Sequence, residues 1–418
     1  MSVAPEILFI AHRVPFPPDR GDKIRSHHVL KRLVNIAPVH VATFAENQAD
    51  LMMEGELAAA TASHCLAQRE QSLLLAGAEA LLMRRSVSAM AFRSHEISDY
   101  VARTIATRPI QAIYVFSGQM GMYIPRGWAG RTIVDLVDVD SAKLEAYAEK
   151  AGRLTRWIYR REARLLAVEE ERLAQLADLT LLVSEQEANL LRGRMDDLLG
   201  TEITVMRNGI DARHFDPIAV SPHRELDGMP GPHIVFTGQM DYPPNISAAL
   251  RVIRHILPAI RKAHPTAMFH CVGRSPDSVL TECNMSDGVR IWGEVPDVRP
   301  FLKSADLVLV PLEIARGVQN KVLEAMAMEC PVLLTECAAT GVGAEAGVHY
   351  RTAGSDEALI SSALALIADR QAAGEMGRAA RRFVVEDLGW DAMLKDLPAM
   401  LGMERGGPED GPGTGHAS

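Results

Sequence analysis

Two side chains three residues apart, Lys321 and Glu324, carry the most specific chemistry in this sequence. They follow a loop, Ala315-Arg316-Gly317-Val318-Gln319-Asn320, and share one face near the start of a helix expected from Gln319. Val322, Leu323, Met326 and Ala327 recur at helical spacing on another face. A helix N-terminus offers free amides, a glycine allows close approach, and a lysine adds charge, so a phosphate suits the site. A carboxylate one turn further in suits a diol. Together they describe a pocket for a nucleoside diphosphate and its ribose, although an ordinary strand-loop-helix with surface charges fits this stretch equally.

The elements around these residues are apolar runs of strand length. Ala305–Pro311 precedes the loop and Pro331–Thr335 follows the helix. Further back, His233–Thr237, Ala267–Val272 and Val289–Trp292 read as strands that end in Gly238-Gln239, Gly273-Arg274 and Gly293-Glu294-Val295. The first half alternates in the same way, with strands over Ile7–Ala11, Val39–Phe44, Ile110–Phe116, Thr132–Val137, Leu179–Val183 and Ile203–Met206. Residues 49 to 82 read as mostly helical, with a short strand near His64, and the chain reads as helical from Asp356 almost to Met400. The first strand ends at His12 and is followed by a proline-rich loop, Gly21, Lys23 and a helix. This is how a doubly wound α/β domain opens. No Gly-x-Gly-x-x-Gly follows it, which disfavours a nicotinamide dehydrogenase.

The expected organisation is α/β throughout: two Rossmann-like, doubly wound parallel-sheet domains with a cleft between them. Residues 1–215 form the first domain. Residues 216–232, rich in proline, glycine and charge, form a linker. Residues 233–385 form the second domain, 386–403 a C-terminal helix returning to the first, and 404–418 a disordered Gly/Pro-rich tail. The 418 residues carry a net charge of -9, which disfavours a general nucleic-acid binder. Five scattered cysteines form no Cys-x-x-Cys pair, pointing to a reducing compartment rather than zinc ribbons or disulfides. With no signal-like N-terminus and no membrane-length apolar run, a cytoplasmic protein is expected.

Residues 143–177 hold the most basic segment: Arg153, Arg156, Arg160, Arg161 and Arg164 interleaved with Leu154, Trp157, Ile158 and Tyr159. Such a stretch suits an anionic membrane surface or a lipid-linked phosphate, so peripheral contact with the inner membrane is an expectation. A solvated helix with internal ion pairs is the plainer alternative.

In order and spacing, these motifs resemble the retaining glycosyltransferases of the GT-B fold, family 4. The matching stretches are Asn208-Gly209-Ile210-Asp211, Phe236-Thr237-Gly238-Gln239, Val272-Gly273-Arg274, Gly293-Glu294-Val295-Pro296-Asp297, Lys321–Ala327 and Pro331-Val332. Pro18–Ser26, Val137–Ser141 and Ala315–Lys321 resemble, more narrowly, the glycosyltransferases associated with exosortase (PEP-CTERM) systems. The resemblance spans about residues 6 to 400.

It implies sugar transfer, with retention, from a nucleotide-diphosphate donor to a saccharide or lipid-linked acceptor in exopolysaccharide or cell-surface glycan synthesis. The nucleotide sugar is a co-substrate, and neither a resident cofactor nor a metal is implied. On the donor side it implies Glu324 at the ribose and Gly317, Val318 and Asn320 at the sugar and diphosphate. Gly293 and Val295 would line the base, beside Gly238 and Gln239. Lys321 and Arg274 would neutralise the diphosphate, with Gly21 and Lys23 closing from the other domain. His12, Asp138, Asp140, Arg156 and Arg160 are the acceptor-side candidates, with Asp138 also a candidate catalytic group. Asp138-Val139-Asp140 reads as sugar contacts rather than a metal site. Two departures stand out: Arg316 occupies a position where the family commonly has glutamate, and Gln239-Met240 follow Gly238 where basic residues are usual. Arg316 would then supply a missing cation. A nucleotide-sugar 2-epimerase and a non-catalytic nucleotide-sugar-binding scaffold are the competing readings.

Overall fold

The computed structural model describes residues 4–18, 21–69, 86–315 and 318–403. Asp19, Arg20, Arg316, Gly317 and the tail 404–418 therefore lie outside the described residues, as does 70–82, the last part of the stretch 49–82 expected to be mostly helical. The chain divides into two compact units: residues up to Asn208 together with those from Met393 onward, and Gly209–Ala392 between them.

The first unit is built on seven strands: β1 (Glu6–Ala11), β2 (Val39–Ala45), β3 (Ser63–Gln68), β4 (Ile110–Phe116), β5 (Arg131–Val137), β6 (Leu179–Leu182) and β7 (Ile203–Val205). They run parallel in the order β3-β2-β1-β4-β5-β6-β7. Continuous apolar runs form these strands because helices cover both faces of a parallel sheet. Ile7 to Ala11 are accordingly fully buried. The strand order reverses between β1 and β4, where Ala11 pairs with Phe116. Such a switch point opens a crevice at the strands' carboxyl ends. Three helices matter here: α1 (Gly21–Val34), α2 (Asp140–Lys150) and α3 (Arg153–Leu176).

The second unit holds six parallel strands, β8 (His233–Thr237), β9 (Met268–Val272), β10 (Val289–Gly293), β11 (Leu307–Val310), β12 (Val332–Leu334) and β13 (Arg351–Thr352). Their order is β10-β9-β8-β11-β12-β13, so the switch point lies between β8 and β11. Helices α4 (Pro243–Arg251) and α5 (Asn320–Ala327) follow β8 and β11. The two-residue β13, with no periodicity of its own, is not legible in the sequence.

The division between units differs from the expected boundaries. Residues 209–215 join the second unit because Ile210 bridges to Gly389 and Gly209 lies against the Trp390 backbone, where an added Cβ would come within 2.7 Å. The segment 216–232 is packed rather than free. Leu226 is fully buried, and the His223 amide donates to Pro300 O and to Ser304 Oγ. At the other end, residues 386–392 stay with the second unit. The return to the first begins at Met393, where Leu397 and Leu401 are buried and Arg131 Nε donates to Met400 O at 3.0 Å. The region after Asp356 is two long helices, Asp356–Ala368 and Arg370–Phe383, then a π-turn and two short helical turns.

Candidate functional site

At the carboxyl end of the second unit's sheet, glycines turn the chain sharply after β8 and β9. Gly238 has φ +153° and Gly273 φ +155°. A Cβ built on Gly273 would lie 1.6 Å from Gly238 O, so the two loops touch backbone to backbone. Gly273 N donates to Gly293 O at 2.9 Å and Gly238 N to Val272 O at 3.1 Å, which ties the ends of three strands together. Gly273→Ala is therefore expected to combine the strain of a positive φ, above about 1 kcal/mol, with a backbone clash. Gly347→Ala, at φ +87° with open space around the added Cβ, carries strain alone. Thermal melts should show the larger loss for Gly273→Ala, and equal losses would contradict the close approach.

Side chains complete a network on this floor. Lys321 Nζ donates to Asn245 Oδ1 at 2.6 Å, and Asn245 Nδ2 donates to Gln239 O at 2.8 Å. Arg274 Nη2 donates to Gln239 Oε1 at 3.0 Å. Lys321 Nζ also lies 5.1 Å from the centroid of the Phe236 ring. Burial lowers the Lys321 ammonium to about 8, although nearby Glu324 and Cys271 oppose the shift. The side chain of Glu324, one turn into α5, makes no hydrogen bond and no ion pair among the described residues, although its backbone carbonyl accepts from Met328 N. Burial raises its carboxyl to about 7, against the pull of Lys321.

Of the residues expected on the donor side, Gly238, Gln239, Arg274 and Lys321 are thus brought together by direct contacts. Glu324 shares their helix, and Gly293 joins through Gly273. Val295 packs partly buried against the core. Val318 and Asn320 are exposed at the entry to α5. Arg316 and Gly317 lie outside the described residues. Asn245 is the member that sequence reasoning missed. It sits in the first turn of α4 after Tyr242-Pro243-Pro244, where nothing but the contact itself marks it.

The first unit has its own cavity, of about 570 Å³, at its switch point. Its walls include His12 from the end of β1, Gly21 and Asp22 from α1, Phe116 from the end of β4, and Asp138 and Asp140. The His12 ring stacks on Phe116 at 5.7 Å and meets Phe92 edge-on at 5.9 Å. Its Nε2 lies 3.3 Å from Asp22 Oδ2, while Nδ1 is buried without a hydrogen-bond partner among the described residues. Burial favours a protonated Asp22, but hydrogen bonds from His12 and Arg13 outweigh it and hold the carboxyl well below its usual range. A carboxylate only accepts, so Nε2 carries a proton, and in the neutral ring Nδ1 presents a lone pair. The loop bearing Asp138 and Asp140 is pinned from below: Glu187 accepts from Val139 N at 2.7 Å, and Glu170 accepts from Ser141 N at 2.9 Å.

Two expectations need correction. Lys23, expected to close on a diphosphate, is buried, with Nζ 2.6 Å from Asp50 Oδ1 and 3.1 Å from Phe16 O. It faces the interior of the unit because that flank of α1 packs inward, and its charge is already matched. Arg156 and Arg160 do not line the cavity. Arg156 Nε caps Ala148 O at 3.2 Å, and the face of α3 that packs inward carries Leu166, Glu170 and Leu173 instead. Asp138 and Asp140 do line it, and they share one ammonium, with Lys143 Nζ 2.7 Å from the first and 3.3 Å from the second.

Comparison with known proteins adds to this geometry. Residues 231–369 match the family model for glycosyl transferases group 1, so the second unit carries a domain of that kind. No curated protein matches the chain. Among solved structures, HepE from Anabaena in complex with UDP superposes with a TM-score of 0.61 at 14% identity, over 96% of this chain and 100% of that one. Sucrose-phosphate synthase from Thermosynechococcus elongatus gives 0.58 at 15%, over 95% and 98%. WaaG, a glycosyltransferase involved in lipopolysaccharide biosynthesis, gives 0.56 at 15%, over 94% and 99%. At such identities the likeness shows the fold. The fold is GT-B, with two parallel-sheet α/β domains.

Proposed function

We propose that the protein transfers a sugar from a nucleotide-diphosphate donor to a saccharide or lipid-linked acceptor with retention at the anomeric carbon, in the synthesis of a surface or exported glycan. The observation that carries this is the carboxylate of Glu324, unspent and half-buried one turn inside α5, beside the Lys321–Asn245–Gln239–Arg274 network. An ionised carboxylate accepts from both hydroxyls of a ribose, and the lysine and arginine complement a diphosphate. Support comes from the group 1 domain match and from structural neighbours, among them HepE with UDP-glucose.

In this reading the acceptor hydroxyl attacks the anomeric carbon from the face the diphosphate leaves. The bond to the phosphate oxygen breaks, the new glycosidic bond forms, and the hydroxyl proton passes to the departing phosphate oxygen. The protein's part is to hold both partners and to stabilise the charge growing on the diphosphate, for which Lys321, Arg274 and the α5 amides are placed. The first unit's cavity supplies the acceptor site, with His12 Nδ1 accepting a hydrogen bond from a sugar hydroxyl and the Phe116 and Phe92 rings flanking a sugar.

The test is calorimetric titration with nucleotide sugars, whose esterified diphosphate does not titrate near neutrality. Affinity should rise as Glu324 ionises near pH 7 and fall as Lys321 loses its proton near pH 8. Glu324→Gln should remove the rising limb, and Lys321→Arg should move the falling limb out of range. No binding to any uridine, guanosine or adenosine diphosphate sugar would defeat the proposal.

A further inference from the structure

The first turns of α3 carry a face that neither site uses. Arg153, Trp157, Arg160 and Arg164 fall within about one-sixth of the helix circumference at 100° per residue, and the face is exposed. Trp157 is 58% exposed, and it is the only one of the four tryptophans in this state. Ile158 beside it is 43% exposed, and Tyr147 of α2, 57% exposed, meets the Tyr159 ring at 6.1 Å.

The pairing of charges sets this face apart. Three arginines off the face are matched, Arg161 with Glu162 at 2.6 Å, Arg172 with Glu169 at 2.5 Å and Arg194 with Glu145 at 2.5 Å, and Arg156 is held by Ala148 O. Arg153, Arg160 and Arg164 have no carboxylate within ion-pair distance among the described residues. Three guanidiniums without counter-ions around an exposed indole, on a chain whose net charge is -9, form a local cationic and aromatic surface. A protein partner of ordinary composition would not need this combination. The interfacial zone of an anionic bilayer matches it, with phosphates for the guanidiniums and the glycerol level for the indole and phenol rings.

We infer that the Arg153–Arg164 face of α3, with Tyr147, docks the protein on an anionic lipid surface. The inference stands on this face alone and does not require the transfer reading. It gives that reading a partner, however. Asp140, at the start of α2, lines the acceptor cavity and Tyr147 lies seven residues along the same helix, about 10 Å away at 1.5 Å per residue. An acceptor anchored in the bilayer would therefore meet the cavity without leaving the membrane.

The experiment is flotation of the full chain with vesicles of phosphatidylcholine alone or mixed with phosphatidylglycerol. Tryptophan emission is followed in the same samples. The protein should float with the mixed vesicles only, detach as salt is raised, and show a blue shift that Trp157→Phe removes. Arg160→Ser with Arg164→Ser should cut partitioning about 25-fold, at about fivefold per guanidinium. Nucleotide-sugar affinity should stay unchanged in these variants, which confirms their folding and keeps the result separate from the donor site. A wild-type protein that stays below the mixed vesicles would overturn the inference, and so would equal binding to neutral vesicles or variants that float like wild type.

Discussion

Replacing Glu324 with glutamine should weaken binding of a nucleotide-diphosphate sugar by about two to four orders of magnitude, since two hydrogen bonds to a charged acceptor are worth roughly 1.5–3 kcal/mol each and 1.4 kcal/mol is tenfold. The loss should be selective. The carboxylate accepts no hydrogen bond from the described residues, so its removal leaves no broken network behind. Burial already raises its carboxyl to about 7, so the neutral glutamine should be tolerated by the fold or even stabilise it slightly. A donor carrying a 2′-deoxyribose provides the second leg of a double-mutant cycle. Wild type should discriminate strongly against it, and Glu324→Gln hardly at all. If the variant binds both donors as wild type does, Glu324 does not hold the ribose and the donor-site reading falls with it.

The second large effect concerns stability. Arg25 is almost fully buried in α1 and makes two parallel bonds to Asp135 of β5, Nε to Oδ2 at 2.9 Å and Nη2 to Oδ1 at 3.0 Å. Tyr114 of β4 donates to the same carboxylate at 2.8 Å. Arg25 Nη1 reaches Met206 O at 2.8 Å and Asn208 Oδ1 at 2.9 Å, fastening the last residues of the first unit before the chain leaves it. Four of the five guanidinium N–H groups are matched, so the network holds two strands, a helix and the 206–208 segment together. Removing one charge strands the other in a dry interior, which costs about 3–5 kcal/mol. Asp135→Ala should therefore lower the melting transition of the first unit by roughly 6–20 °C, at about 2–4 °C per kcal/mol for a unit of this size. Tyr114→Phe, which removes one neutral donor, should cost about 1 kcal/mol. A shift no larger for Asp135→Ala than for Tyr114→Phe would show that the ion pair is not what secures the network.

The strands and the doubly wound pattern were legible because buried parallel strands are nearly continuous apolar runs, and Ile7–Ala11, Val39–Ala45 and Leu307–Val310 are all of that kind. The glycines after β8, β9 and β10 were legible for a similar reason, since only glycine tolerates the positive φ found at Gly238, Gly273 and Gly293. Charged residues were harder to place. Lys23, Arg25 and Arg160 look alike in a helical sequence, yet the first two are buried in ion pairs and the third is exposed. Their partners, Asp50 and Asp135, lie 27 and 110 residues away, a separation that no local pattern encodes. Asn245 was missed for the same reason: its role depends on Lys321, 76 residues later.

The paired titrations of Lys321 and Glu324 also fix the traffic of protons when a donor binds. With the carboxyl near 7 and the ammonium near 8, the empty site holds one group partly neutral on either side of the midpoint. A donor that requires both groups charged makes Glu324 shed a proton and Lys321 take one up. Below the midpoint the release dominates, and above it the uptake dominates. Heats of binding measured in buffers of different ionisation enthalpy should consequently change the sign of their buffer dependence between pH 7 and 8, and at the crossing the donor binds with no net exchange of protons with the solvent.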